Sequence, residues 1–259
     1  MTDPAAIPAP ASNTSPPRMV LFEVFRFHPE TDATPRWHSY RVPCQPEWVV
    51  LDALNYIKDH IDGSLSYRWS CHMAVCGSCG MMIDGRPMLS CKAFLRDLPD
   101  RIRVGPLDNL DVTRDLVVRQ DRLMDSLSAV KSWLIPRHPD DGRAAGRQSP
   151  AELARYRDLS MCINCMLCYA ACPQVALNPH YLGPAALALA QRYNLDSRDG
   201  GARQRLDSTA SEDGVWECTF VGECSEVCPK HVDPAGAIQQ MKLAASLDWF
   251  GRLLGGKES

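Results

Sequence analysis

The sequence has no long hydrophobic run. Its longest apolar candidate, around Pro184 to Ala190, falls far short of the roughly eighteen residues that a membrane-spanning helix needs. The chain is therefore not expected to cross a membrane itself. Its opening stretch, MTDPAAIPAPASNTSPPR, lacks the charged and apolar regions of a secretory signal. An excess of one charge is also missing: a formal net charge of -3 supplies no basic field for nucleic acid, and no nucleic-acid partner is expected. No nucleotide-binding glycine signature occurs, and the seven histidines show no paired metal-ligand spacing. Cysteine, by contrast, is abundant. Twelve cysteines could form a disulfide framework in a secreted chain, but without a signal they read as cytosolic thiols that bind metal.

Seven of them fall in two related runs. Cys162, Cys165, Cys168 and Cys172-Pro173 have the spacing C-x2-C-x2-C-x3-C-P of an iron-sulfur ligand run. Three thiolates on such a loop wrap one cubane cluster, and the fourth, aimed away by the following helical turn, ligates a second. A second run must then exist. Cys218, Cys224 and Cys228-Pro229 repeat the offsets of Cys162, Cys168 and Cys172-Pro173, six residues and then four. The position matching Cys165 is Val221, and an aliphatic side chain cannot hold iron, so the second cluster should lack one corner. Exchange of the fourth cysteines, as in two-cluster ferredoxins, gives a 4Fe-4S cluster on Cys162, Cys165, Cys168 and Cys228 and a 3Fe-4S cluster on Cys172, Cys218 and Cys224. C-x2-C pairs also build closed zinc sites of four thiolates. Seven cysteines do not make two such sites, and zinc requires no paired C-x3-C-P endings.

Four more cysteines lie upstream. Cys71, Cys76, Cys79 and Cys91 have the plant-type spacing C-x4-C-x2-C…C of a 2Fe-2S site. Gly77 and Gly80 suit a tight loop whose amides approach cluster sulfurs. Asp84-Gly85 is a hairpin turn signal that would return Cys91 to the loop. Four reduced structural cysteines in a core would not explain a glycine-rich loop carrying three of them. His72, inside this loop, is expected to face outward. Cys44 stands alone, reads as a small buried hydrophobe and marks no site.

The fold class expected is α+β: a β-grasp domain of the plant-type 2Fe-2S ferredoxin kind (18–112), followed by an all-α ferredoxin domain with two clusters (113–259). Residues 1–17, rich in Ala, Pro, Ser and Thr, read as a disordered tail. Met19 to Phe27 and Trp37 to Val42 are dense in β-branched and aromatic residues and read as a hairpin. Val50, Leu54, Ile57 and Ile61 form a helical stripe. From about Thr113 strand signals stop, and Leu116, Leu123, Leu127 and Val130 read as one face of a long helix. Residues 134 to 148 read as a surface loop, and Ser149-Pro150-Ala151-Glu152 as a capping box with Pro at the first helical position. Gly183-Pro184 opens another helix, Ser197 to Gly214 is a polar connection, and Asp233-Pro234 begins the last helix. On that helix Leu243, Leu247, Phe250 and Leu254 make a stripe for the core or a partner.

Three unlike clusters in one chain suggest a wire of one-electron stations. A flavin at one end and a quinone at the other would each exchange two electrons and be docked from other subunits or the membrane. Over nearly all of residues 19 to 250 the chain also resembles the iron-sulfur subunits of fumarate reductase and succinate dehydrogenase complexes. The resemblance is carried by Tyr67-Arg68-Trp69-Ser70-Cys71, Cys76-Gly77-Ser78-Cys79-Gly80, Gly183-Pro184-Ala185-Ala186, Arg192-Tyr193-Asn194, Asp196-Ser197-Arg198-Asp199 and the stretch from Gly214 to Pro234. That last stretch leans toward the fumarate reductase branch. Succinate dehydrogenase subunits usually carry tryptophan shortly after the first C-P, where this chain has Gln174-Val175-Ala176-Leu177. The resemblance implies a flavoprotein subunit with covalent FAD that interconverts fumarate and succinate. It also implies hydrophobic membrane anchor subunits that bind quinone, with menaquinone the expected species, and a peripheral place on the cytoplasmic side of the inner membrane. Electrons would pass in the order flavin, 2Fe-2S, 4Fe-4S, 3Fe-4S, quinone, or the reverse. The residues matching the family's quinone pocket are Thr219, Phe220, Gln239 and Lys242. All four 2Fe-2S positions are cysteine here, where some relatives have aspartate.

Quinol:fumarate reduction is thus the first reading, and the same subunit working as succinate dehydrogenase is the second. A free, soluble ferredoxin-like carrier and a zinc-stabilised interaction module are readings of other classes. Copurification with a flavoprotein and hydrophobic chains separates the carrier from the subunit, and acid-labile sulfide separates the clusters from zinc.

Overall fold

Alternation makes the first hairpin. In β1 (Arg18–Arg26) Val20, Phe22 and Val24 turn to one side and are buried, and the strand pairs antiparallel along its whole length with β2 (Arg36–Cys44). The computed structural model describes residues 18–137 and 146–254. The expected tail at 1–17 lies outside the described residues, as does the middle of the expected loop at 134–148.

β1 also pairs in parallel with β5 (Arg101–Gly105). β5 pairs with β3 (Gly80–Ile83), which forms a hairpin with β4 (Arg86–Leu89), so the five-stranded sheet has the order β2-β1-β5-β3-β4. Asp84 and Gly85, both at positive φ (48° and 77°), make the turn of that hairpin, the geometry that Asp-Gly favours. α1 (Val50–Tyr56), continued by a wider turn over Ile57–Ile61, buries Val50, Ala53, Leu54 and Ile57 in the same core as the sheet. Ile61 is exposed instead of completing the stripe.

Arg26, at the end of the inward face of β1, is buried with its charge matched. Its Nε donates to Asp115 Oδ1 (3.0 Å), and its Nη atoms donate to Tyr40 Oη (2.6 Å), Ser64 Oγ (2.7 Å) and Asp62. Asp115 also accepts the backbone N–H groups of Phe27 and Ser66, both at 2.9 Å. This hub fixes the segment that leads into the first cysteine loop.

The long helix expected from Thr113 is shorter than its pattern. Residues 112–118 hold a small hairpin, β6 (Val112–Arg114) and β7 (Val117–Val118), and α2 runs only over Asp121–Ala129. Leu116 packs in the sheet core, whereas Leu123, Leu127 and Val130 pack in the second core. Leu116 shared their spacing but not their face, because Asp115 is held by Arg26.

The second half is helical. α3 (Pro150–Ala154) is capped by Ser149, whose Oγ accepts from Glu152 N while Glu152 Oε2 accepts from Ser149 N. Two short helices, α4 (Leu167–Ala170) and α5 (Pro173–Leu177), follow the first ligand run, and α6 (Pro184–Asn194) is buried along most of its length. The expected polar connection at 197–214 contains a helix, α7 (Ala202–Thr209). Its anchor is ionic rather than apolar, which is why periodicity misses it: Arg205 is fully buried and donates through Nη1 and Nη2 to Asp199 at 2.7 and 2.8 Å. α8 (Glu223–Glu226) lies within the second run, and α9 (Pro234–Leu253) closes the fold, with Asp233 Oδ1 accepting from Gly236 N at 2.9 Å. Ala237, Ile238 and Met241 of α9 face the core, while Leu243, Leu247, Phe250 and Leu254 face outward.

Candidate metal centres

The first site is a loop of turned amides. His72, Ala74 and Gly77 all have positive φ (58°, 56° and 76°), and the turns aim backbone N–H groups inward. Cys71 Sγ accepts from the amides of Met73, Val75 and Cys76 at 3.3 to 3.4 Å, and Cys76 Sγ accepts from Cys71 N at 3.5 Å. Converging amides of this kind stabilise negative charge. Hydrogen bonds from Ser78, and then from the Cys71 and Ser78 amides, bring the Cys76 thiol down to about 6. Cys79 and Cys91 are buried, and burial pushes Cys91 up to about 12. The β3–β4 hairpin carries Cys91 back to the loop, where Ser90 N donates to Cys79 O at 3.0 Å. His72 points away from the thiols, with Nε2 2.9 Å from Asp52 Oδ1.

Two cavities divide the seven cysteines of the two later runs. Cys162, Cys165, Cys168 and Cys228 line one, walled by Ile163, Leu167, Ala185, Ala188 and Val232. Cys172, Cys218 and Cys224 line the other, together with Tyr181, Thr219, Phe220, Val221 and Ile238. The fourth cysteine of each run thus turns into the cavity of the other. The two loops also share backbone geometry. Asn164 and Met166 stand two and four residues after Cys162, at φ 54° and 64°, and Phe220 and Gly222 stand at the same offsets from Cys218, at φ 61° and 90°. Val221 occupies the Cys165 position between them and is largely exposed.

These residues fit clusters. Burial raises the thiols of Cys162 and Cys172, pushes Cys165 up to about 12 and Cys224 to about 11, and holds Cys168 well above the usual range. Loading must therefore displace protons. Sulfur acceptors are provided for: Val232 N donates to Cys228 Sγ at 3.3 Å, and the amides of Gln174 and Val175 donate to Cys172. Among the described residues no group of three or more His, Cys, Asp or Glu side chains is arranged to hold a metal ion. Four cysteines ring one cavity and three the other, an arrangement with room for a polynuclear centre.

Glycines set the spacing between the first two sites. A Cβ on Gly77 would lie 2.6 Å from Ile163 O and 3.1 Å from Cys165 Cβ, and one on Gly80 would lie 3.0 Å from Cys165 O. The Cys76–Cys79 loop therefore packs directly on the Cys162–Cys165 loop. Asn109, which the sequence pattern did not single out, locks the same boundary: its Nδ2 donates to the carbonyls of Tyr169, Ala170 and Cys172 at 3.0 to 3.3 Å. Only its φ of 64° sets it apart, and dihedrals are not legible in sequence.

Thr219, Phe220, Gln239 and Lys242 come together around Cys218. Lys242 Nζ donates to Cys218 O at 2.6 Å, Gln239 Nε2 lies 4.0 Å from Cys218 Sγ, and Thr219 Oγ1 accepts from Gln174 Nε2 at 3.2 Å. Phe220 is exposed at the cavity mouth.

Comparison with known proteins agrees with this architecture. Residues 21–125 match the family described as 2Fe-2S iron-sulfur cluster binding domain, and residues 154–229 match 4Fe-4S dicluster domain. The chain is 56% identical to a fumarate reductase iron-sulfur subunit of Mycobacterium tuberculosis, covering 91% of this chain and 96% of the relative. Identity to a succinate dehydrogenase iron-sulfur subunit of Coxiella burnetii is 36%, over 86% of this chain and 95% of the relative. In fold it is similar to a chain of the Mycobacterium smegmatis Sdh1 complex in the apo form, with a TM-score of 0.79 at 24% identity, covering 90% of this chain and 98% of that one. With two cysteine-rich halves in one α+β fold and identity concentrated on the fumarate reductase side, the chain belongs to the family of fumarate reductase and succinate dehydrogenase iron-sulfur subunits.

Proposed function

We propose that this chain relays electrons between a quinol bound beside Cys218 and the FAD of a partner flavoprotein docked beside Cys71, in a membrane-bound complex that reduces fumarate. The observation that carries this reading is the sequence of three adjoining cysteine sites, the first packed on the second through Gly77 and the second sharing its ligand runs with the third. When bound, the 2Fe-2S, 4Fe-4S and 3Fe-4S clusters supply one-electron stations whose potentials follow cluster type, charge and hydrogen bonds to sulfur. Cys71, Cys76, Cys79 and Cys91 hold the first; Cys162, Cys165, Cys168 and Cys228 the second; Cys172, Cys218 and Cys224 the third. Apolar side chains wall the second, and the third opens past Phe220.

The two ends of the chain suit different partners. Trp69, Met73 and Val75 are exposed around the first loop, the face for the flavoprotein. Lys242 shares α9 with the outward Leu243, Leu247 and Phe250, the face for hydrophobic anchor subunits that would hold this chain peripherally on the cytoplasmic side of the membrane. Among the described residues no helix is long and apolar enough to cross a membrane. Thr219, Phe220, Gln239 and Lys242 would border the quinone, with menaquinone the expected species. The Lys242 ammonium can stabilise a reduced quinone oxygen or pass it a proton. The greater identity to fumarate reductase subunits favours fumarate reduction over the same relay run in reverse.

The native chain should copurify with a flavoprotein and hydrophobic subunits, and recovery of the chain alone would contradict the proposal. In the assembled complex, Lys242→Ala should slow quinol-dependent turnover by roughly 100-fold, the low end of what one proton-transferring group contributes. Succinate oxidation with an artificial acceptor at the flavin should stay near the unsubstituted level. Equal loss in both assays would mean that the lysine serves assembly.

A further inference from the structure

Four tyrosines are buried, and three of them bond their hydroxyls within the protein. Tyr40 Oη donates to Asp62 Oδ2 at 2.8 Å, Tyr156 Oη to Gln148 Oε1 at 2.5 Å and Tyr169 Oη to Leu182 O at 2.6 Å. Tyr181 is the fourth. It is only 1% exposed, yet its hydroxyl makes no hydrogen bond among the described residues. A buried phenol ordinarily finds a partner, because an unpaired hydroxyl is costly to bury. Packing alone would be served as well by phenylalanine. Unlike Ser90 Oγ, which is sealed in protein without a partner, the Tyr181 hydroxyl borders open space. That space is the third cavity, which Tyr181 lines together with Cys172, Cys218 and Cys224. Of the other polar side chains on its wall, Gln174 and Thr219 are bonded to each other and Glu223 is exposed. The side-chain acceptors left there are sulfurs.

A fixed backbone aims the ring. Tyr181 N donates to Asn178 O at 3.3 Å, and Leu182 N donates to Asp213 O at 2.9 Å. In the groove beside α2, which Tyr181 also touches, its carbonyl accepts from Arg122 Nη2 at 3.4 Å, and Arg122 donates as well to Val175 O at 3.0 Å and Asn178 O at 2.7 Å. Gly183 then turns the chain at φ 84°, where a Cβ would come within 2.3 Å of the Tyr169 ring.

We propose that the Tyr181 hydroxyl donates a hydrogen bond to a sulfur of the centre held by Cys172, Cys218 and Cys224 and makes that centre easier to reduce. Reduction adds one negative charge to the centre, and a donor aimed at its sulfur stabilises the more charged state. Tyr181 thus differs in role from Lys242, which donates to Cys218 O on the expected quinone side.

This inference rests on the cluster reading of the third cavity, and the two can fail separately. The test is an EPR-monitored redox titration of the assembled complex, with the other two centres as internal references. Tyr181→Phe removes the hydroxyl and keeps the ring, whereas 3-fluorotyrosine placed at 181 alone makes the phenol a stronger donor. Tyr181→Phe should lower the midpoint of the Cys172 centre alone, cutting its reduced-to-oxidised ratio at fixed potential by up to roughly tenfold, the low end of what a hydrogen bond to a charged group is worth. The fluorinated residue should raise that midpoint. An unmoved midpoint in Tyr181→Phe overturns the proposal. So does an equal shift of all three centres, which would mark a general loosening of the fold. If Tyr181→Phe does not assemble, 3-fluorotyrosine decides alone: a raised midpoint supports the bond, and an unchanged or lowered one refutes it. Absence of iron from the third site of the unsubstituted complex would overturn the cluster reading, whereas a centre of either nuclearity whose midpoint ignores the hydroxyl would overturn only the role of Tyr181.

Discussion

Val221 stands where Cys165 stands in the first run, and the left-handed residues on either side of the two positions match. The loop geometry needed to present a fourth ligand is therefore already in place, and what is missing is a sulfur. Val221→Cys should convert the 3Fe-4S centre into a 4Fe-4S one and lower its potential, measured by the loss of the oxidised EPR signal and by redox titration; an unchanged 3Fe signal would contradict the missing-corner argument. Cysteine spacing is legible because ligand chemistry allows so few alternatives: the pairing of each run's first three positions with the other's last is the grouping of cysteines that the two cavities display. Asn109 and Arg122 were not legible. Each acts on backbone carbonyls more than fifty residues away in the chain, and backbone acceptors carry no residue signature.

Among the elements, those with a strong local code were readable. The β1–β2 hairpin, the Asp84-Gly85 turn, the Ser149–Glu152 capping box and the Pro-initiated α6 and α9 all stand where alternation, turn chemistry and caps put them. Where two cores compete for one apolar spacing, as at Leu116 and Leu123, the pattern misleads. α7 was missed for a different reason, because Arg205 and Asp199 are charged residues at the bottom of a core. Arg205→Ala would leave Asp199 buried without its partner, and removing one member of such a pair costs roughly 3–5 kcal/mol. The expected outcome is a lowered thermal midpoint and earlier proteolysis between 197 and 214. A midpoint within error of the unsubstituted protein would show that Asp199 is satisfied by the amides of Ile135 and Gly201 alone.

On the scale of the whole molecule, the chain has two large cores of different kinds. The sheet core, built on Val20, Phe22, Val42, Leu54 and Ile102, contains none of the eleven proposed ligands. The second core includes Cys79 and Cys91, and Cys162, Cys165, Cys168, Cys172 and Cys218 pack against it. Removing the clusters should therefore act unevenly, since metal binding and folding are coupled where the ligands are the packing. Hydrogen exchange after chelation should show β1, β2 and β5 still protected while the amides of 161–177 and 215–232 exchange rapidly; uniform loss of protection would contradict two separable cores. Above all stands the division of the cysteines into three centres, with iron missing at the Val221 corner. Low-temperature EPR of the purified native complex, oxidised and then reduced stepwise, addresses it most directly. The expected result is a 3Fe-4S signal in the oxidised state, with two further centres emerging on reduction. A 4Fe-4S cluster at the Cys172, Cys218 and Cys224 site, or no iron there, would contradict it.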